Sequence, residues 1–367
     1  MSSKTDERNL YSVDIIKGIA IIMVIIVHSA IRFNLCPLLG LITQYGRFGC
    51  QAFFMLSGFT LTLSWEARNS HSLKRFYVRR YKSIAPGYYC TIALYYCINT
   101  ILVCLKISSP FSTNRSLIGI MENVLLIHGL IPDYNNNIVR GGWYVGTIAV
   151  CYLLYPFIVK SLKKMYYMRK TECIIMPMIL SLISLLIGFL IGSSDEALIG
   201  IDSFLYYNII NQISPFIMGI IACFIWTERK AIMNANRCGL NFGLWTIISL
   251  VMLAVNQVYL YALLPFTTGL SFVHLFLCLD TVNTEATRFG RLVAKVGKQS
   301  YGIYLLHPII VFGLSTIALK ISERYRGNTD TLIWCVCLPI MLVLSIILGT
   351  MYNKAINSMS KRLLRNV

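Results

Sequence analysis

The sequence predicts an all-α, polytopic membrane protein of about ten transmembrane helices with both termini cytoplasmic. Three observations carry this. First, of 367 residues 56% are hydrophobic and only 13% charged, and a mean hydropathy of +0.66 exceeds what a water-soluble domain of this length needs. Second, the apolar residues gather into ten runs: 11–31, 46–65, 86–106, 143–160, 174–192, 204–226, 239–258, 260–279, 300–320 and 332–353. A helical span takes about 20 residues to cross the hydrocarbon core, and each run is near that length. Third, with the N-terminus inside, 24 of the 33 Lys and Arg fall in inner segments, as the positive-inside rule requires. The net charge of +18 is then mostly topological and calls for no nucleic-acid partner.

The first run, from Tyr11 to Ile31, carries Asp14 and Lys17 at its entrance and a lone imidazole, His28, near its exit. No small-residue cleavage signal follows it, so it reads as a retained signal anchor. Ionisable groups inside a span are costly and usually face a cavity, a partner or a pathway. At 1.5 Å and 100° per residue, Lys17 and Asp14 lie about 16 and 21 Å from His28, all within about 40° of one face. Asp14 is therefore too distant to orient His28. A plainer reading leaves Asp14 and Lys17 among the headgroups and lets His28 simply end the span.

In the second run, Gly46, Gly49 and Ser57-Gly58 permit close helix approach. Ser57 has no GxSxG context and no local base, so it reads as a packing or hydrogen-bonding residue. The inner loop that follows holds Arg68, Lys74, Arg75, Arg79, Arg80 and Lys82, and then Pro86. Proline suits the first position of a helix. If Pro86 opens the third span, free N–H groups and the positive dipole end lie beside Arg79, Arg80 and Lys82, a setting for a phosphorylated ligand. The alternative is a cluster that only fixes topology.

The longest outer connection, 107–142, contains LIGIMENVLLIHGL, too short to cross upright and so interfacial or re-entrant, with Glu122 and His128 in it. Its polar tail, 132–137, is expected to face the outer compartment. Gly141-Gly142-Trp143-Tyr144 then opens the fourth run at the outer interface, where aromatic residues anchor and can also stack on sugar rings. The connection 193–203 carries Asp195, Glu196 and Asp202 with no base. His274 is expected to be a core histidine satisfied by a hydrogen bond, and His307 is placed in the inner half of span nine, before kink-prone Pro308. The twelve cysteines lack a CxxC pair and read as packing residues, with no disulfide framework or metal site. Without repeats or a soluble segment, the expectation is one membrane domain.

Taken together, the ordered motifs resemble a known family. They are Asp14-x-x-Lys17-Gly18 with His28 eleven residues after the lysine; Gly46-x-x-Gly49-x-x-x-Phe53-Phe54-x-x-Ser57-Gly58-Phe59; and Phe76-Tyr77-x-Arg79-Arg80-x-x-x-Ile84-x-Pro86. Trp143-Tyr144 and Tyr301-x-Ile303-Tyr304-Leu305-Leu306-His307-Pro308 complete the set. From Tyr11 to Pro308 the chain resembles the acyltransferase-3 family, integral-membrane enzymes that include bacterial O-antigen and exopolysaccharide O-acetyltransferases. The resemblance implies that His28 is the essential first-span histidine and that Arg79 and Arg80, with Lys82 beside them, form the cytoplasmic site for acetyl-CoA. Asp14, Lys17, Ser57, Trp143 and His307 take supporting places.

By the same resemblance the protein sits in the bacterial inner membrane, surrounded by lipid, with acetyl-CoA as donor substrate and no permanently bound cofactor. The acceptor is a lipid-linked or polymerising glycan, and the pantetheine arm threads between spans one, two and three toward His28, which acts as base or as transient acyl carrier. Lys17 departs from the arginine of many members. Ile148 and Ala149 stand where some peptidoglycan-modifying members carry paired glutamates, and no appended extracytoplasmic esterase-like domain is expected after span ten. These last two features point to the short O-antigen type. A transporter or flippase for a glycan lipid or small anion, or another donor such as succinyl-CoA, remains the alternative.

Overall fold

The computed structural model describes residues 11–68, 71–106, 116–131, 136–191, 204–229, 234–282, 287–324 and 330–365. Among these the regular structure is all helical. The longer elements are α1 (Tyr11–Ala30), α2 (Pro37–Tyr45), α3 (Gly49–Glu66), α4 (Leu73–Cys104), α5 (Leu117–Val124), α6 (Trp143–Met168) and α7 (Lys170–Ile191). They continue as α8 (Phe204–Tyr207), α9 (Ile209–Arg229), α10 (Ala235–Val255), α11 (Leu264–Thr281), α12 (Arg288–Lys298), α13 (Ser300–Arg324) and α14 (Asp330–Arg365). Nine of the described helices are long and apolar enough to cross a membrane. The remaining predicted run is α3, whose Gln51, Ser57, Thr60, Thr62 and Ser64 dilute its hydropathy. All ten runs are thus helical, as expected.

Three expectations change. Pro86 does not open a helix: α4 begins at Leu73 and continues through the proline. Membrane helices tolerate an interior proline where neighbours satisfy the freed carbonyl. Here the freed carbonyl is that of Lys82, four residues before the proline, on an exposed residue in the basic part of the helix. At 1.5 Å per residue α4 is about 48 Å long against a core of about 30 Å, so its basic first half extends past the apolar part. The helix N-terminus expected beside Arg79, Arg80 and Lys82 is therefore absent, and those side chains project from within the helix. Trp143, expected at the interface, is buried. The aromatic-belt rule applies to rings on a lipid-facing side, and this one faces inward. The third change concerns His307 and is taken up with the site.

The short apolar piece forms α5 and a 3-10 turn, His128–Leu130, with Ser116 capping α5 by accepting the Gly119 N–H at 3.1 Å. Neither is long enough to cross. Residues 132–135 of the polar tail and the acidic connection 193–203 lie outside the described residues.

The chain divides into two compact units. The first comprises residues 1–20, 50–76 and 151–298. Its most enclosed span is α9, which crosses α3 through glycines: a Cβ on Gly58 would meet the Phe216 carbonyl oxygen at 2.1 Å. In the same unit α1 docks on the amphipathic α12. Gly18 faces the Val293 carbonyl and Gly297 lies against the Asp14 carbonyl, while the Asp14 carboxylate sits 3.8 Å from Lys17 and 3.7 Å from Lys298. The Asp-x-x-Lys-Gly motif thus has an immediate structural duty, seating the start of α1. Lys170 pairs with Glu228 at 2.6 Å and Lys163 with Glu66. The outward faces of α7 and α10 present Ile175, Leu182, Leu186, Leu244, Ile247 and Val251, the apolar exterior that lipid requires.

The second unit comprises residues 21–49, 77–150 and 299–367. Its most enclosed span is α13, which packs on α14 through Gly302 and Gly349. Gly46 sits against the Met23 carbonyl, as its position in the second run predicts. This unit holds the outer end of α1, the α4 extension and the segment SYGIYLLHP, and so contains the principal residues singled out by the sequence.

Candidate active site

His28 and His307 meet. His28 Nδ1 lies 2.8 Å from His307 Nε2, with ring centroids 4.9 Å apart. Sequence reasoning placed His28 toward the outer side and His307 in the inner half of its span, but the contact puts both at one depth. The error came from counting depth from the first residue of each helix: His28 lies 17 residues into α1 and His307 only 7 into α13, so two helices whose histidines touch do not begin at one level.

The local sequence explains how His307 is held. Pro308 has no N–H, so the carbonyl four residues earlier, that of Tyr304, loses its helical donor. His307 Nδ1 fills that vacancy at 2.7 Å and also reaches the Ile303 carbonyl at 3.2 Å. A carbonyl only accepts, so Nδ1 carries the proton and Nε2 bears the lone pair. His28 Nδ1–H therefore donates to His307 Nε2, which leaves His28 Nε2 as the free basic nitrogen. His307 is fully buried whereas His28 is only partly so; the accessible member of the pair is the one with the available lone pair.

The dyad is tied to the outer connection. Tyr304 Oη donates to the Gly141 carbonyl at 2.6 Å. Gly141, at φ +80, is a residue whose left-handed backbone favours glycine, and its N–H is held by Asn136 Oδ1 at 3.0 Å. Phe312, one turn beyond His307, lies 6.4 Å from the His28 ring and carries two guanidiniums, Arg32 at 5.4 Å and Arg140 at 4.8 Å. The sequence reading missed both arginines and Tyr304, and the motif Tyr-Leu-Leu-His-Pro was the available signal for the last.

Beneath the outer connection, His128 stacks on Tyr88 at 5.2 Å. Its Nε2–H serves the Gly142 carbonyl at 2.8 Å and Tyr88 Oη at 3.0 Å; Tyr88 in turn donates to Asn123 Oδ1 at 2.7 Å, and Asn123 to Asn137 Oδ1 at 2.9 Å. Burial pushes His128 down to about 4, so it is neutral near pH 7. Its role is to pin the connection that ends at Arg140.

On the α4 extension Arg79 and Lys82 are exposed while Arg80 is half-buried. At 100° per residue, positions 79 and 82 share a face and 80 turns away from it. The arginine pair is thus split, with Arg80 the member aimed into the protein. Of the other expected residues, Ser57 Oγ accepts from Tyr152 at 3.3 Å, a packing role as anticipated. His274 Nδ1 bonds the Leu270 carbonyl at 2.9 Å, on the wall of a largely apolar cavity of about 740 Å³ in the first unit.

A family model described as an acyltransferase domain, acyltransferase-3, matches residues 10–350. The peptidoglycan O-acetyltransferase OatA of Listeria monocytogenes serovar 1/2a (strain ATCC BAA-679 / EGD-e) is similar, at 25% identity over 353 residues, covering 88% of this chain and 52% of that protein. The chain spans about half the length of that relative. No solved structure matches. A family match of that extent places the chain in the acyltransferase-3 family, and the succession of membrane-length helices makes it a multi-pass membrane acyltransferase.

Proposed function

We propose that the protein transfers an acetyl group from cytoplasmic acetyl-CoA to a hydroxyl of a bacterial surface glycan, an O-antigen or exopolysaccharide, on the far side of the inner membrane. The observation that carries this reading is the oriented dyad. His307 fixes the His28 tautomer, so His28 Nε2 is poised to take a proton. In the reaction the sugar hydroxyl attacks the thioester carbon and its proton passes to Nε2. The C–O bond forms, the C–S bond breaks, and the proton returns to the departing thiolate. A thioester is already activated, so positioned proton transfer of this kind supplies a typical gain of about 10²–10⁴-fold. The family match and the O-acetyltransferase relative support the reaction class.

Coenzyme phosphates would be held on the α4 extension, on the side that the charge distribution makes cytoplasmic. Arg80→Lys keeps the charge but loses the planar fork and is expected to raise KM for acetyl-CoA about tenfold, the scale of one charge-assisted bond. Arg79→Lys, at an exposed position where charges contribute little, is expected to change it less than about threefold. Equal effects at the two positions would remove the inward arginine from donor binding.

The decisive experiment feeds labelled acetate to cells with and without the gene, and reads the mass increment and NMR position of acylation on purified surface polysaccharide and on peptidoglycan. Label on the polysaccharide is expected. Label only on peptidoglycan would move the acceptor to the class named for the Listeria relative, and movement of unmodified glycan without any label would favour a transporter.

A further inference from the structure

We infer that Arg140, with Arg32, forms a binding site for an oxyanion carried by the acceptor next to the hydroxyl that is acylated, a phosphate or a carboxylate; this rests on the acyl-transfer reading above. Both guanidiniums rest on the Phe312 ring, at 4.8 and 5.4 Å from its centroid, and that ring also neighbours His28. Arg140 is close enough for its charge to act on the His28 imidazole, as is Arg47.

Each arginine is held in place. Arg32 donates to Thr316 Oγ1 at 2.7 Å, and Thr316 itself donates to the Phe312 carbonyl at 2.8 Å. Arg140 is held through its neighbour Gly141 by Tyr304, whose own carbonyl carries His307. Neither Arg32 nor Arg140 forms an ion pair among the described residues. The acid that opens α14, Asp330, accepts the Asn34 amide at 3.0 Å.

Like charges gathered on one apolar ring, with no carboxylate paired to them among the described residues, are unfavourable until an anion joins them. Topology does not account for them. Arg32 follows the outer end of α1 and Arg140 precedes α6, both in connections that the charge rule assigns outside, where basic residues are disfavoured. A guanidinium offers five donors in a planar fork that fits phosphate or carboxylate oxygens in pairs, and with Arg140 fixed by backbone and ring contacts little ordering cost attends that binding.

The test compares kcat/KM for matched acceptors with the purified full-length protein and labelled acetyl-CoA. The acceptors are a uronic-acid oligosaccharide, its carboxyl-reduced form, and a neutral oligosaccharide both free and linked to a polyprenyl diphosphate. Wild type is expected to prefer a charged acceptor over its neutral partner. The carboxylate pair and the diphosphate pair reveal which source supplies the anion. Arg140→Gln is expected to shrink that preference at least about tenfold, mainly through KM. If Arg140→Gln is not recovered as a monodisperse protein, Arg140→Lys is read the same way, with a smaller fall. A preference unchanged by the variant overturns the site, as does a wild type that uses charged and neutral acceptors equally. A wild type that acylates none of the four sinks the glycan reading itself.

Discussion

His28→Ala is expected to lower acetyl transfer by about 10²–10⁴-fold, the usual contribution of a positioned acid–base group, while the protein still purifies as a folded species. The reason lies in the hydrogen-bond order. His307 Nδ1–H is committed to the Tyr304 carbonyl that Pro308 leaves without a donor, its Nε2 accepts from His28 Nδ1, and the remaining lone pair is on His28 Nε2. His307 acts through His28, so its variants should follow its acceptor and not its volume alone. His307→Gln keeps an oxygen that can accept the His28 proton and is expected to retain at least about tenfold more activity than His307→Ala; losing the partner that orients a working histidine commonly costs about 10–100-fold. Single-turnover transfer from labelled acetyl-CoA in membranes checks both. Activity in His28→Ala equal to wild type would remove the imidazole from the chemistry. Equal losses in His307→Gln and His307→Ala would make His307 a packing residue.

Much of this architecture was legible in the sequence, because membrane spans depend on properties that are local in the chain. Ten apolar runs and the placement of bases between them follow from length and transfer free energy, and Gly46 and Gly58 mark helix crossings because only a missing Cβ lets backbones touch. His28 was also legible, as an ionisable group in an expensive location. What was not legible depends on partners far away in sequence. The His28–His307 contact joins residues 279 positions apart, and nothing within either helix specifies it. Asp14, Lys17 and Gly18 read as a motif, but their partner α12 lies some 275 residues further on, in a stretch too polar and short to be one of the spans. Pro86 misled because the soluble-helix rule that puts proline at a first turn is relaxed in membranes. Arg32 and Arg140 look like stray outer charges until the fold brings both onto Phe312.

Gly219→Ala is expected to destabilise the protein by about 3 kcal/mol or more, at or beyond the upper end of ordinary overpacking. A Cβ there would stand 1.9 Å from the Met55 carbonyl oxygen and 2.8 Å from the carbon behind it, and a backbone group has no rotamer by which to withdraw. The helices cannot slide past one another to relieve it, since one turn away Gly58 of α3 crosses α9 just as closely: a Cβ there would stand 2.1 Å from the Phe216 carbonyl oxygen. Only separation of α3 from α9 makes room. That would pull Phe59, fully buried, from Trp226 at 5.7 Å and Phe276 at 4.3 Å, opening the centre of the first unit. Gly243→Ala on α10 supplies the comparison: nothing lies within 4 Å of its Cβ position, so only helix propensity acts and a gain of up to about 1 kcal/mol is expected. Thermal unfolding of the two variants in the same detergent, followed by loss of monodispersity, reads the difference. A Gly219→Ala protein that melts with wild type would mean that α3 and α9 are not in backbone contact.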